Sequence, residues 1–428
     1  MSKFWRLSQL LKYRGAAPTS DLTGKCLTSL FLLRSETSNS IVPLNLAFRV
    51  VNKRGDLMPS FKPSDLWKAE PHTLAKIEIV RRYLYLWFYI LGTKNKRLVY
   101  IDGFAGPGGY TNSNDSSPTA ALGAARTAAE RLSASGIPPQ EWLFYFIERR
   151  PDFASNLSSV IGETSWPGEF RLDVQTGTFN EKFTGIMATM KRFPGGIPPT
   201  FAFIDPFGAT GVPFSHVAEI LKNRSCEVLI NLDSDGIGRL VAAAESIEKN
   251  RQHLDMIFGD LSWREKLNPK AFMPDLCAQV LALYKSRLRA LPNVDYCFSF
   301  AMRSTREALN YHLVFASQHP LGLRKMKEAM KAVDQSGSYS FSDDAVGQGH
   351  FSFTEPGEPA IRMLHELGDV WRPWKHFDDF ALNESPFGNP KSMLAYLKSK
   401  GKVEVQWVGP PSKTGFPENR IKLIRLNR

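Results

Sequence analysis

The stretch Val99-Tyr-Ile-Asp-Gly-Phe-Ala-Gly-Pro-Gly-Gly-Tyr110 is an apolar run that ends in an acid and then in a glycine-rich turn. A second run, Phe201-Ala-Phe-Ile-Asp-Pro-Phe-Gly208, ends in the same way farther along the chain. Near-continuous apolar runs belong to strands covered on both faces, as in a parallel sheet. Open α/β sheets bind ligands at the carboxyl ends of such strands. The first string therefore predicts a strand that brings a close backbone turn and a carboxylate to a ligand. The second predicts another strand of the same sheet, ending in a carboxylate and a proline-stiffened aromatic.

Working outward, apolar runs predict strands over 98–101, 142–147, 169–174, 200–204 and 226–231, with helical patterns between them. A helix is expected from residue 64 to Gly92, and another opens at Ser117-Pro118 with serine as cap. Strand and helix alternating in this way predict an α/β fold with a Rossmann-like, doubly wound sheet. Residues 236–290 read as a helical insertion, after which 294–302 and 311–317 form a closing antiparallel pair. Seven strands ending in such a pair match the class I methyltransferase sheet. The expected division is an N-terminal extension over 1–60, poorly defined, a sheet domain over 61–335, a linker over 336–358 and a small domain over 359–428. In that last part, helices over 361–367 and 389–401 precede strands over 403–408 and 420–424, a winged-helix-like pattern.

Composition narrows the partners. The chain has 428 residues, with 54 Lys and Arg against 42 Asp and Glu, a net charge of +12 that favours a polyanion such as RNA or DNA. From Lys402 onward six basic residues face two acids, suited to a phosphate backbone. Four scattered cysteines, Cys26, Cys226, Cys277 and Cys297, form no CxxC pair, which argues against a zinc site or disulfide framework and predicts a reducing, cytoplasmic setting. The most apolar run, 83–91, is too short to span a bilayer. No phosphate-loop string is present, and no serine has a His/Asp partner at an informative spacing.

Chemistry is expected at the strand ends. Asp102, Gly103, Phe104, Ala105, Gly106 and Gly108 would cradle the amino-acid part of S-adenosylmethionine, with Asp102 meeting its ammonium. A tight βα turn also needs glycine for purely structural reasons. Glu148, ending 144–148, is placed to accept two ribose hydroxyls, with an ion pair to Arg149 or Arg150 as the alternative. Asp173 or Thr178 would meet the adenine amino group. Asp205 with the Pro206 carbonyl would accept the N–H protons of an exocyclic amine, and Phe207 would stack on a base. His319 and Arg239 are further candidates for the crevice wall. No acid cluster suggests a metal.

With residues 67–72, 83–87, 100–110, 117–118, 146–148, 203–208 and 315–320 in view, the chain resembles the three-Cys-motif partner (TcmP) family over about residues 61–425. That resemblance implies a class I methyltransferase-like fold and an iron–sulfur partner protein of the radical-enzyme type. Separately, residues 204–214 are similar to the corresponding segment of tRNA guanine dimethyltransferases. Phe207 stands where base amino-methyltransferases usually carry a second proline, and Thr178 where the family often shows an acid. The function expected is methylation of an exocyclic amine of a nucleobase. The alternative is a non-catalytic partner that binds nucleotide or nucleic acid for another enzyme.

Overall fold

Pro71 imposes extended backbone on Glu70, so helix α1 begins there and runs Pro71–Gly92. The expected start at residue 64 is instead a 3-10 turn over Pro63–Asp65. The structure, a computed structural model, describes residues 61–428 apart from 140, 245, 304–308, 335–338, 344–354 and 413. The expected N-terminal extension, 1–60, lies outside the described residues.

Strands and helices then alternate: β1 (Arg97–Asp102), α2 (Ser117–Ala134), β2 (Glu141–Glu148), α3 (Pro151–Gly162), β3 (Phe170–Thr176), α4 (Phe179–Lys191), β4 (Thr200–Ile204), α5 (Phe214–Leu221) and β5 (Cys226–Leu232). The cap of α2 is Ser116 rather than Ser117, its hydroxyl accepting from the Thr119 N–H. The insertion is helical: α6 (Ser234–Ala242), α7 (Glu248–Phe258), α8 (Trp263–Lys266) and α9 (Met273–Arg289). Next come β6 (Tyr296–Arg303), β7 (Leu309–Ser317), α10 (Pro320–Lys331) and β8 (Ser340–Ser342).

These strands form one sheet in the order β3-β2-β1-β4-β5-β7-β6-β8. The first five are parallel, and β7 runs antiparallel to both β5 and β6. Eight strands replace the expected seven, because residues 340–342, read as linker, pair in parallel with β6. Along β1 the residues alternate between faces. Leu98 and Tyr100 join a core with α1, α2 and α10. Val99 and Ile101 join one with α4, α5 and α9. The order reverses between β1 and β4, so the crevice opens at their carboxyl ends.

The C-terminal part has its own core, built on α11 (Gly357–Leu367), α12 (Trp374–Glu384), α13 (Lys391–Ser399), β9 (Val403–Trp407) and β10 (Ile421–Leu426). Helix α12 was absent from the expected elements, yet it fastens this part to the sheet. Asn383 accepts from the Cys297 N–H at 2.9 Å, and Tyr296 donates to Asp379 at 3.0 Å. Cys226, Cys277 and Cys297 are buried and free. Among the described residues no helix is long and apolar enough to cross a membrane.

Candidate functional site

Two cavities adjoin at the β1/β4 reversal. The first, about 400 Å³, lies over the loop after β1 and the carboxyl ends of β4 and β5. The second, about 370 Å³, lies over β2 and the start of α4. Phe104 and Phe207 line both, so one elongated ligand can occupy the pair.

The loop after β1 forms the floor they share. Gly106 and Gly108 have φ of +67° and +95°, values that favour glycine. A Cβ on Gly108 would also lie 3.2 Å from Leu157 of α3, so a side chain there would push the loop off that helix. Ala105, Gly106 and Gly108 line the first cavity, Gly103 the second. Glu148, at the end of β2, reaches the second cavity and accepts from the Gly106 N–H at 3.0 Å and the Arg150 N–H at 2.7 Å. Burial raises its pKa, and the two N–H donors oppose that. Neither arginine side chain pairs with it: Arg150 bonds Asp152 instead.

Two expected cofactor residues are not on the walls. Asp102 is 0% exposed and lines neither cavity. Its carboxyl accepts from Tyr100 Oη and the Phe104 N–H, each at 3.2 Å, so it braces the loop from within. Burial pushes its pKa up to about 7. Asp173 does not close its strand. β3 continues to Thr176, which pairs with Glu148, whereas Asp173 pairs with Tyr145 lower down. It therefore stands back from the strand end, bonded to Gln175 at 2.7 Å. Thr178 does line the second cavity, but its hydroxyl caps α4 by accepting from Glu181 N–H. Of the weaker candidates, Arg239 lines the first cavity, while His319 caps α10 through Nδ1.

At the end of β4, Asp205, Pro206 and Phe207 all line the first cavity. Both Asp205 oxygens are engaged, one by Lys76 Nζ at 2.5 Å and the other by Asn231 Nδ2 at 2.6 Å. Phe207 is 69% exposed and meets Trp67, itself 38% exposed, edge to face at 6.1 Å. Trp67 is held over the mouth by the loop: Thr111 N–H donates to its carbonyl at 3.0 Å, and Asn112 bonds both backbone groups of Ala69.

Sequence reading missed Lys76, His72, Asn231, Tyr311 and Asp343, of which all but Asp343 line the first cavity. Lys76 and His72 carried a faint signal, since a lysine on the apolar stripe of a helix asks for a buried partner. Among the described residues no group of three His, Cys, Asp or Glu is arranged to hold a metal.

No family model and no curated protein matches the chain. Among solved structures it is similar to an O-methyltransferase from Bacillus cereus in complex with SAH, at 13% identity over 55% of this chain and 80% of that one, TM-score 0.29. It is also similar to Trm1 from Pyrococcus horikoshii with S-adenosyl-L-methionine, at 11% identity over 86% and 94%, TM-score 0.31. A putative O-methyltransferase from Klebsiella pneumoniae gives 11% over 59% and 92%, TM-score 0.28. The strand order, independently of these likenesses, defines the fold.

Proposed function

We propose that the chain is an S-adenosylmethionine-dependent methyltransferase acting on an exocyclic amine of a nucleobase in RNA or DNA. The observation that carries this reading is the pair of joined cavities, one reaching Glu148 and the other Asp205, on either side of Phe104 and Phe207. The residues fit the cofactor. Glu148 keeps lone pairs for ribose hydroxyls, Gly177 and Thr178 border a space for adenine, and the 105–109 turn offers backbone to the amino-acid end. Bound there, the sulfonium supplies an electrophilic methyl carbon. The chain's own contribution is alignment. Asp205 orients the amine through its N–H groups, and the exposed rings of Phe207 and Trp67 offer stacking surface to a base.

The resemblance to the three-Cys-motif partner family supports the same reading and adds an iron–sulfur protein as partner. The three helices and two-stranded sheet of the C-terminal part suit a winged helix that holds the polymer. Lys402 and Lys422 make no ion pair among the described residues, whereas Arg425 and Arg428 are paired with Glu404 and Asp369.

A second reading has its own support. Because Lys76 and Asn231 already occupy both Asp205 oxygens, the carboxylate is closed in the manner of a non-catalytic scaffold that binds nucleotide or nucleic acid. Isothermal titration with S-adenosylmethionine and its demethylated product tests the shared premise, and binding by neither overturns it. Methyl transfer from labelled cofactor to total RNA and DNA of cells lacking the gene then separates the two. An enzyme loses transfer with Asp205→Ala; a scaffold keeps its cellular role.

A further inference from the structure

Three hydrogen-bonding atoms of residues that line the first cavity have no partner among the described residues. Asn231 Oδ1 and Tyr311 Oη are both buried and unpaired. The amide orientation of Asn231 is set by Asp205, because a carboxylate oxygen can face only the Nδ2 donor. The third atom is Nε2 of His72. His72 lies in the first turn of α1, one helical turn before Lys76, and both line the cavity. Asp343 grips it twice: its carboxylate accepts from the His72 backbone N–H at 2.7 Å and meets ring Nδ1 at 2.7 Å. Capping the helix needs only the first of these. The second holds the proton on Nδ1 and leaves Nε2 as the bare nitrogen. Tyr311 packs against both side chains, edge to face with the His72 ring at 5.8 Å and 5.3 Å from Lys76 Nζ.

Resting on the methyltransferase reading, we propose that His72 is the proton acceptor of the reaction, with Asp343 as its positioning residue. An amine nitrogen that has gained a methyl group carries one proton too many. Its N–H bond breaks, the electron pair stays on that nitrogen, and the proton forms a new N–H bond at Nε2. The imidazolium faces the Asp343 carboxylate and passes its proton to solvent. Asp205 already has one oxygen on the Lys76 ammonium and the other on the Asn231 amide, whereas His72 Nε2 has neither kind of partner among the described residues. The charged and titratable groups facing His72 are Asp343, Lys76 and Tyr311, with Asp205 beyond Lys76.

The test uses the full chain with ¹⁵N-labelled histidine, assigned by His72→Gln. The free protein should show His72 as the Nδ1–H tautomer, and Asp343→Asn should shift it toward Nε2–H; an Nε2–H tautomer in the parent overturns the proposal without any turnover. With labelled cofactor and total RNA and DNA, His72→Gln should lower kcat by roughly 10²- to 10⁴-fold. Equal transfer refutes His72 while leaving the methyltransferase reading intact. Failure of the parent to bind the cofactor refutes that reading instead.

Discussion

Lys76 and Lys327 are both withdrawn from water, at 8% and 2% exposure, and they end in opposite kinds of site. Lys76 meets one carboxylate on a cavity wall. Lys327, on α10, meets the carbonyls of Ala381, Ser385 and Phe387 at 3.0, 2.7 and 3.1 Å, around the carboxyl end of α12. Phe298 adds a ring face 4.1 Å from the ammonium. Burial drives the Lys327 pKa well down, with the Glu384 and Asp378 carboxylates opposing that. A cation among fixed carbonyls joins two parts of a fold. A cation against one carboxylate, beside open volume, can trade that partner for a ligand.

Breaking the Lys327 site should have the largest effect. Lys327→Ala leaves three carbonyls without their donor and is expected to cost about 4 kcal/mol in urea unfolding. It should also raise the protease sensitivity of residues 357–428, because α12 is the fastening helix.

Asp102 sharpens the contrast from the other side, as a buried carboxyl with no cation. Its folded pKa of about 7 lies above the ordinary 3.8, so the folded chain keeps a proton that the unfolded chain loses between those values. Stability should therefore fall as pH rises from about 4 to about 7, by on the order of 4 kcal/mol, and level off above. Asp102→Asn should remove that slope in melting curves taken across the range. A slope of the opposite sign belongs to His312, buried and pushed down to about 4, which resists protonation as pH falls below 6.5. A melting series with His312→Gln isolates it.

Lys76→Met should change stability by no more than about 1 kcal/mol, since water can enter the cavity to solvate Asp205. Methyl transfer should drop at least about tenfold, because Asp205 then keeps only Asn231. A loss of stability matching that of Lys327→Ala would make Lys76 a structural pin as well. The smallest effect belongs to Tyr311→Phe, expected within about 0.5 kcal/mol of the parent in unfolding, since its hydroxyl has no partner among the described residues.

Much of this arrangement can be read from local chemistry. Buried strands announce themselves by unbroken apolar runs, and the β4 bounds match the expected 200–204. Helix α12 was missed because its apolar positions, Trp374, Phe377 and Phe380, are interleaved with charge, and only packing against β6 and α10 shows which face is inward. Asp173 was misjudged because a mid-strand acid and a strand-end acid look alike until register is known.

Local pattern alone determined that Asp205, Glu148 and the 103–108 turn would stand at strand ends, because apolar periodicity and glycine placement act over a few neighbouring residues. Tertiary structure decided that Lys76 and Asn231 would close on Asp205, and that His72 would meet Asp343 from 271 positions away in the chain. No local rule encodes such meetings. They follow from burial, which makes a polar group seek whatever partner the folded chain brings within reach.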